Sequence, residues 1–158
     1  AAVSTQRDDE KLADALAAAE ATGCERVAMM GFCMGGMYAM KAAACGRFEA
    51  AVAFYGMIRM PEAWRAPHQT DAIDSVRASG ACPVLALCGT EDPWLPAAEV
   101  DELAQVATVV RYPGADHGFA HAPDRDSYRA DDATDAWARA LGFLRSGGPG
   151  ATPEGTTS

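Results

Sequence analysis

The sequence lacks the features that would point to a nucleic-acid or membrane partner. It contains no cluster of Lys and Arg, and its formal net charge is -9 at pH 7. Nucleic acids and anionic membranes would be repelled by such a surface, so we expect neither as a partner. No apolar run reaches transmembrane length, and no signal peptide is recognisable. The 49% hydrophobic and 22% charged residues are typical of a globular domain.

The five cysteines also lack the spacing of a metal or redox site. None of them forms a C-x-x-C pair, so neither a zinc site nor a thioredoxin-type motif is indicated. Four of them lie in or beside apolar stretches and are predicted to be small buried side chains: Cys24, Cys45, Cys82 and Cys88. This use of cysteine is typical of a reducing compartment, so we expect a cytoplasmic protein.

Helical and short apolar segments alternate along the chain. Helices are predicted at 8–21, 34–44, 70–78, 96–107 and 131–145, and strands at 26–30, 49–55, 83–88 and 108–112. The inward positions of the last helix are predicted to be Ala136, Trp137, Ala140, Leu141 and Leu144. The strands do not alternate with polar residues, which predicts an α/β fold with a mostly parallel sheet and helices on both faces. We expect one domain at 1–146 and a disordered Gly/Pro/Thr/Ser-rich tail at 147–158.

A glycine-flanked cysteine follows the first predicted strand. The segment Gly31-Phe32-Cys33-Met34-Gly35-Gly36 has the form G-x-nucleophile-x-G between a strand and a helix, which is typical of a nucleophile elbow. The central residue of an elbow occupies a strained turn, so positions on both sides should lack bulk. The start of a helix lowers a thiol pKa. We predict Cys33 as the nucleophile and the Met34 amide as an oxyanion donor; the alternative is a glycine-rich turn with an incidental cysteine.

An acidic loop and a histidine loop follow the third and fourth predicted strands. Asp92 is the candidate for orienting a histidine, with Glu91 as its competitor and a helix N-terminal charge as the alternative role. His117 is the candidate base, and His68 and His121 compete with it. The chain order of nucleophile, acid and histidine is that of α/β-hydrolases.

Four further side chains are candidates for the walls of a substrate pocket. They are Tyr55, Trp94, Phe119 and His121. For the three aromatic residues, packing in the hydrophobic core is the alternative role.

These motifs resemble the dienelactone hydrolase family over residues 26–144. The elbow at 31–36, the strand end Phe54-Tyr55-Gly56, and the loops at 92–96 and 117–120 look like the corresponding parts of that family. The resemblance implies an α/β-hydrolase fold and hydrolysis of a small lactone or ester through a thioester. It also implies the catalytic triad Cys33, Asp92 and His117, with no metal or cofactor.

Two departures from the family limit what the resemblance implies. The family has a long portion before the elbow that supplies several strands, a second oxyanion amide and a substrate-binding arginine, whereas only 32 residues precede Cys33 here. The chain is therefore expected to correspond to the C-terminal portion, with a sheet incomplete at its N-terminus. The family's His-x-Phe-x-Arg pattern also has His121 in place of the arginine, which favours a broader activity than that on dienelactones.

Two other functions compete with a lactone or ester hydrolase. The chain could be a weakly active or non-catalytic remnant that needs its missing N-terminal part or a partner chain. It could also be a relative of serine-type acyl hydrolases, such as a peptidase or acyltransferase, although the cysteine elbow argues against this. A monomer or a homodimer is expected.

Overall fold

The computed structural model describes residues 6–148 and contains one parallel β-sheet. Its strands are β1 (Met29–Phe32), β2 (Ala51–Phe54), β3 (Val84–Gly89) and β4 (Thr108–Tyr112). They lie in the order β1-β2-β3-β4, each parallel to its neighbour. The α-helices of this part of the chain are α1 (Asp8–Ala21), α2 (Met34–Ala42), α3 (Ala72–Arg77), α4 (Ala97–Leu103) and α5 (Ala130–Ser146). The predicted α/β class is confirmed.

Helices cover both faces of this sheet. Gly31 in β1 faces α2, since a Cβ built on it would lie 2.1 Å from the carbonyl oxygen of Gly35. The next residue, Phe32, points to the opposite face, where its ring lies 5.6 Å from that of Trp137 in α5. Helix α3 packs beside α2. The helical layer of α2 and α3 and the single helix α5 therefore enclose the strands between them.

Some element boundaries differ from the prediction. Strand β1 begins at Met29, where pairing with Ala51 starts, rather than at residue 26. Helix α4 ends at Leu103 rather than at 107, because the chain turns there to enter β4. The inward assignment of Leu141 is wrong, since this side chain is 42% exposed. It lies roughly 80° around the helix axis from the buried Ala133 and so falls at the edge of the contact stripe.

The cysteines are all free thiols, and the prediction of burial is wrong for one of them, Cys24. Cys88 is buried, and Cys45 and Cys82 are half-buried, but Cys24 is exposed. It follows α1 in a turn, where its amide N–H donates to Thr22 Oγ1 and no apolar layer covers it.

The last helix is followed by the predicted tail at 147–158, most of which lies outside the described residues. Helix α5 ends at Ser146, and Gly147 follows in the left-handed conformation. The predicted tail lies outside the described residues beyond 148, so its disorder stays a prediction. Within residues 6–148, no helix is long and apolar enough to cross a membrane.

Candidate active site

Cys33 occupies a strained turn between β1 and α2. Its backbone angles are φ 54° and ψ -119°, a region that residues other than glycine rarely adopt. The turn is held from both sides, because the Cys33 N–H donates to the Phe54 carbonyl at 3.0 Å and the Cys33 carbonyl accepts from the Met37 N–H at 3.0 Å. Hydrogen bonds to the sheet and to the helix thus overcome a strain of about 1–3 kcal/mol.

Close backbone packing explains two of the three glycines around Cys33. A Cβ on Gly31 would overlap the Gly35 carbonyl, and a Cβ on Gly36 would lie 2.9 Å from the Cα of Gly56. Gly35 differs, because a Cβ there would meet nothing within 4 Å. The expectation that both sides of the cysteine must lack bulk is therefore right for Gly31 and Gly36 and wrong for Gly35.

Asp92 and His117 are brought together by the loops after β3 and β4. The two atoms joined are Asp92 Oδ2 and His117 Nδ1, at 2.8 Å. The Asp92 side chain is fully covered, and its other oxygen accepts the Trp94 N–H at 2.9 Å. A carboxylate can only accept, so Nδ1 carries the proton and the second nitrogen of His117 is free to face Cys33. Glu91, the competing acid, is exposed to solvent.

The interaction between Cys33 and His117 shifts the pKa of both side chains. The interaction with His117 holds the pKa of the Cys33 thiol below its ordinary value, although burial opposes this, and the Met34 N–H also favours the thiolate. The hydrogen bond to Asp92 and then the interaction with Cys33 raise the pKa of His117 to about 9. Both shifts favour a thiolate–imidazolium pair, the reactive form of a cysteine nucleophile.

The predicted pocket residues divide into covered and open side chains. Tyr55 and Phe119 are fully buried, with ring centroids 5.6 Å apart, so they have the core position that was the alternative for them. Trp94 is 39% exposed, and its ring centroid lies 4.5 Å from that of Trp64 with the planes tilted by 32°. His121 is half-buried, and its Nδ1 is hydrogen-bonded to the Tyr55 hydroxyl. Trp94 and His121 can therefore contact a ligand, whereas Tyr55 and Phe119 cannot do so without moving.

A cleft beside His117 contains residues that the sequence did not single out. Its volume is about 700 Å³, and its walls include Asp116, Arg125, Ser127 and Arg129. Arg125 Nη1 lies 3.1 Å from His121 Nε2. Residues 122–129 have no helical or strand periodicity, so no signal in the sequence indicated the contact between Arg125 and His121. Among residues 6–148, no group of three His, Cys, Asp or Glu side chains could hold a metal ion.

The fold and the order of the loops define an α/β-hydrolase architecture. Solved structures support this: the chain matches 90% of its length to the crystal structure of a Paleococcus ferrophilus monoacylglycerol lipase, with a TM-score of 0.66 at 15% identity. A closer match is the "Putative Dienelactone Hydrolase" of Klebsiella pneumoniae subsp. pneumoniae MGH 78578, with a TM-score of 0.81 at 31% identity. That match covers 90% of this chain and 63% of the other.

Sequence comparison gives the family. The model of the dienelactone hydrolase family matches residues 2–147. A "Putative carboxymethylenebutenolidase" of Saccharolobus solfataricus is 31% identical, over 87% of this chain and 52% of its own length. A "Probable 2-oxo-3-(5-oxofuran-2-ylidene)propanoate lactonase" of Bradyrhizobium sp. is 32% identical, over 91% of this chain and 62% of its own length. The chain therefore belongs to the dienelactone hydrolase family, as predicted, and spans about half the length of the curated relatives it matches.

Proposed function

We propose that the chain carries the catalytic site of a hydrolase that cleaves small lactones or carboxylic esters through a Cys33–His117–Asp92 triad. The observation that carries the proposal is the 2.8 Å hydrogen bond between the fully covered Asp92 and His117, whose imidazole interacts in turn with the half-buried Cys33. A covered acid, an oriented imidazole and an accessible thiol are the three parts that nucleophilic acyl transfer requires.

The reaction follows from these parts in two stages. The Cys33 thiolate attacks the carbonyl carbon, and the Met34 amide donates to the oxygen that becomes negative. The carbon–oxygen single bond then breaks, His117 gives its proton to the leaving alkoxide, and a thioester remains on Cys33. Neutral His117 next removes a proton from water, the hydroxide attacks the thioester, and the acid leaves as Cys33 regains its thiolate. Asp92 keeps His117 in the required tautomer throughout.

The class of substrate is suggested by the relatives. The names of two of them denote hydrolysis of a butenolide and of an oxofuran lactone, and both bonds are cyclic esters. We extend the proposal to open-chain esters, because His121 occupies the place of the arginine in the His-x-Phe-x-Arg pattern. A small uncharged or weakly charged ester in the cytoplasm is the substrate we expect.

Ester turnover by cysteine variants tests this proposal. Cys33→Ala should abolish hydrolysis of an aryl acetate and of a five-membered lactone, while Cys24→Ala, which changes an exposed thiol, should retain it. Circular dichroism should show both variants folded. Full esterase activity in Cys33→Ala would rule out Cys33 as the nucleophile.

A second candidate function is that of a weakly active or non-catalytic site, which needs additional strands or a partner chain to hydrolyse an ester. Within the described residues, β1 pairs with β2 on one side only, and its Met29 and Met30 are half-buried. Among the described residues, the Met34 amide is the donor that interacts with Cys33, and loss of one oxyanion donor costs about 10²–10³ in rate in other hydrolases. If this applies, Cys33 should be alkylated readily while ester turnover by the chain alone stays near the uncatalysed rate.

A further inference from the structure

Tyr55 is held rigidly at the C-terminal end of β2. Its backbone has φ 38°, which is uncommon for a residue with a large side chain. Its N–H donates to the Leu87 carbonyl at 2.9 Å, and its side chain has no exposed surface. Tyr55 therefore presents a fixed ring and hydroxyl to whatever lies beside the end of this strand.

The loop that carries His117 lies against this ring. The rings of Tyr55 and His117 meet edge to face, with centroids 5.1 Å apart and planes at 66°. The buried Phe119 meets Tyr55 in the same way at 5.6 Å. Edge-to-face contacts depend on orientation, so a shift of the loop relative to Tyr55 would also change the direction of the His117 imidazole.

Hydrogen bonds also connect the part of the loop after Phe119 to Tyr55. The turn in which the Arg125 N–H donates to the Ala122 carbonyl brings the Arg125 guanidinium within 3.1 Å of His121 Nε2. A guanidinium can only donate, so Nε2 accepts and the proton of the neutral ring is on Nδ1. His121 Nδ1 then donates to the Tyr55 hydroxyl. Arg125 thus fixes the tautomer that makes this bond.

We propose that Arg125, His121 and Tyr55 form a latch that holds His117 in line with Cys33, and that Tyr55 is a positioning residue for the reaction. The latch acts because His117 and His121 flank the buried Phe119 on one loop, so a bond from His121 to β2 restrains His117 as well. The inference rests on the proposed function, since alignment matters only if Cys33 and His117 react. Burial raises the pKa of the Tyr55 hydroxyl, which therefore stays protonated.

Alkylation of Cys33 by iodoacetamide at neutral pH gives a readout that does not need a substrate. Tyr55→Phe keeps the ring and removes the hydroxyl. We expect the alkylation rate of Cys33 and kcat for an ester to fall about two- to tenfold, as loss of one hydrogen bond would give. KM should not change, because Tyr55 is buried. Tyr112→Phe is the matched control: it removes another buried hydroxyl, bonded to Asp135 at 2.9 Å, and should leave Cys33 alkylation unchanged.

Variants at His121 show whether the two residues act as one unit. His121→Ala should lower Cys33 alkylation as much as Tyr55→Phe, and the double variant should show no further loss. His121→Asn, whose amide can donate from near the Nδ1 position, should restore most of the rate. Because His121 is half-exposed, this series remains decisive even if Tyr55→Phe does not fold.

Different results would show failure of the latch and failure of the proposed function. The latch is overturned if Tyr55→Phe retains the wild-type alkylation rate, if the single losses are additive, or if Tyr112→Phe causes an equal loss. The proposed function itself is overturned if, in the wild-type protein, Cys33 is alkylated no faster than the other four cysteines.

Discussion

Two covered carboxylates of this protein are each paired with a cation-forming side chain, and only one pair belongs to the candidate active site. Asp92 accepts from His117 at 2.8 Å, and Asp8 accepts from Lys41 Nζ at 2.7 Å. The Asp92 side chain is fully covered, and that of Lys41 is 1% exposed. By burial and distance alone, the two pairs could serve the same purpose.

The pairs differ in what each leaves free to react. Asp8 also accepts from the Thr70 N–H and hydroxyl, at 2.7 and 2.9 Å, so both of its oxygens join α1 to α2 and to the segment before α3. Burial lowers the pKa of Lys41, and the Asp8 carboxylate only partly offsets this. His117, in contrast, uses one nitrogen for Asp92 and offers the other to Cys33. The feature that marks the reactive pair is therefore the thiol beside His117, rather than the burial of the carboxylate.

The largest expected effect comes from changing Asp92, which breaks the reactive pair. Asp92→Asn keeps the size of the side chain but favours the wrong tautomer of His117. We expect kcat for an ester to fall by about 10⁴, as for the equivalent change in serine triads. Steady-state kinetics measure this, with Glu91→Gln, a change to the exposed acid next to Asp92 on the same loop, as the control. A loss below tenfold would show that Asp92 does not orient the base.

Changing Asp8 breaks the other pair and should act on stability alone. Asp8→Ala leaves Lys41 buried without its partner, which should lower the free energy of unfolding by about 3–5 kcal/mol. Adding Lys41→Met should recover part of this loss, because the buried charge is removed with it. Urea denaturation measures both. The Cys33 alkylation rate of the folded protein should not change, and a change would mean that the two pairs are coupled.

Substitution of the glycines after Cys33 should have a smaller effect on stability than the loss of Asp8. It compares two positions in the backbone that supports the reactive pair. Gly36→Ala should destabilise the protein by about 1–3 kcal/mol, since the new Cβ would overlap Gly56. Gly35→Ala should be neutral or stabilise α2 by up to about 1 kcal/mol, because its Cβ would meet nothing. Thermal melting of the two variants checks this. Equal destabilisation would contradict the packing described for the elbow.

The pH dependence of alkylation is the most subtle test of the difference between the pairs. His117 holds the pKa of Cys33 below its ordinary value, whereas burial raises the pKa of Cys82. Only the thiolate reacts, so the alkylation rate of Cys33 should level off at a lower pH than that of Cys82. His117→Ala should move the Cys33 profile to higher pH and leave that of Cys82 in place. Superimposable profiles in the wild-type protein would argue against the thiolate–imidazolium pair.

The parts of the site that sequence could predict are those set locally or by the sheet. The elbow around Cys33 is a local pattern, in which Gly31 and Gly36 are required by contacts within and next to that segment. Asp92 and His117 were predictable as neighbours because parallel strands end at the same edge of a sheet. The α/β fold followed from apolar strands between helical segments.

The parts that could not be predicted depend on packing between distant segments. The contact of Tyr55 with His121 joins residues 66 apart in sequence, and it exists only because the irregular segment after β4 folds back over β2. Tyr55 and Phe119 could equally have lined a pocket, since an aromatic residue suits both positions. The exposure of Leu141 follows from the exact rotation of α5 on the sheet, which periodicity leaves open at the edges of the stripe.

Trapping of the acyl group tests the central claim most directly. The protein is mixed with an aryl acetate, quenched in acid within the first turnover, digested and examined by mass spectrometry. If Cys33 is the nucleophile, the peptide that contains it gains the mass of one acetyl group, and His117→Ala greatly reduces this gain. Ester hydrolysis with no acetyl group on Cys33, or with the acetyl group on another side chain, would contradict the account.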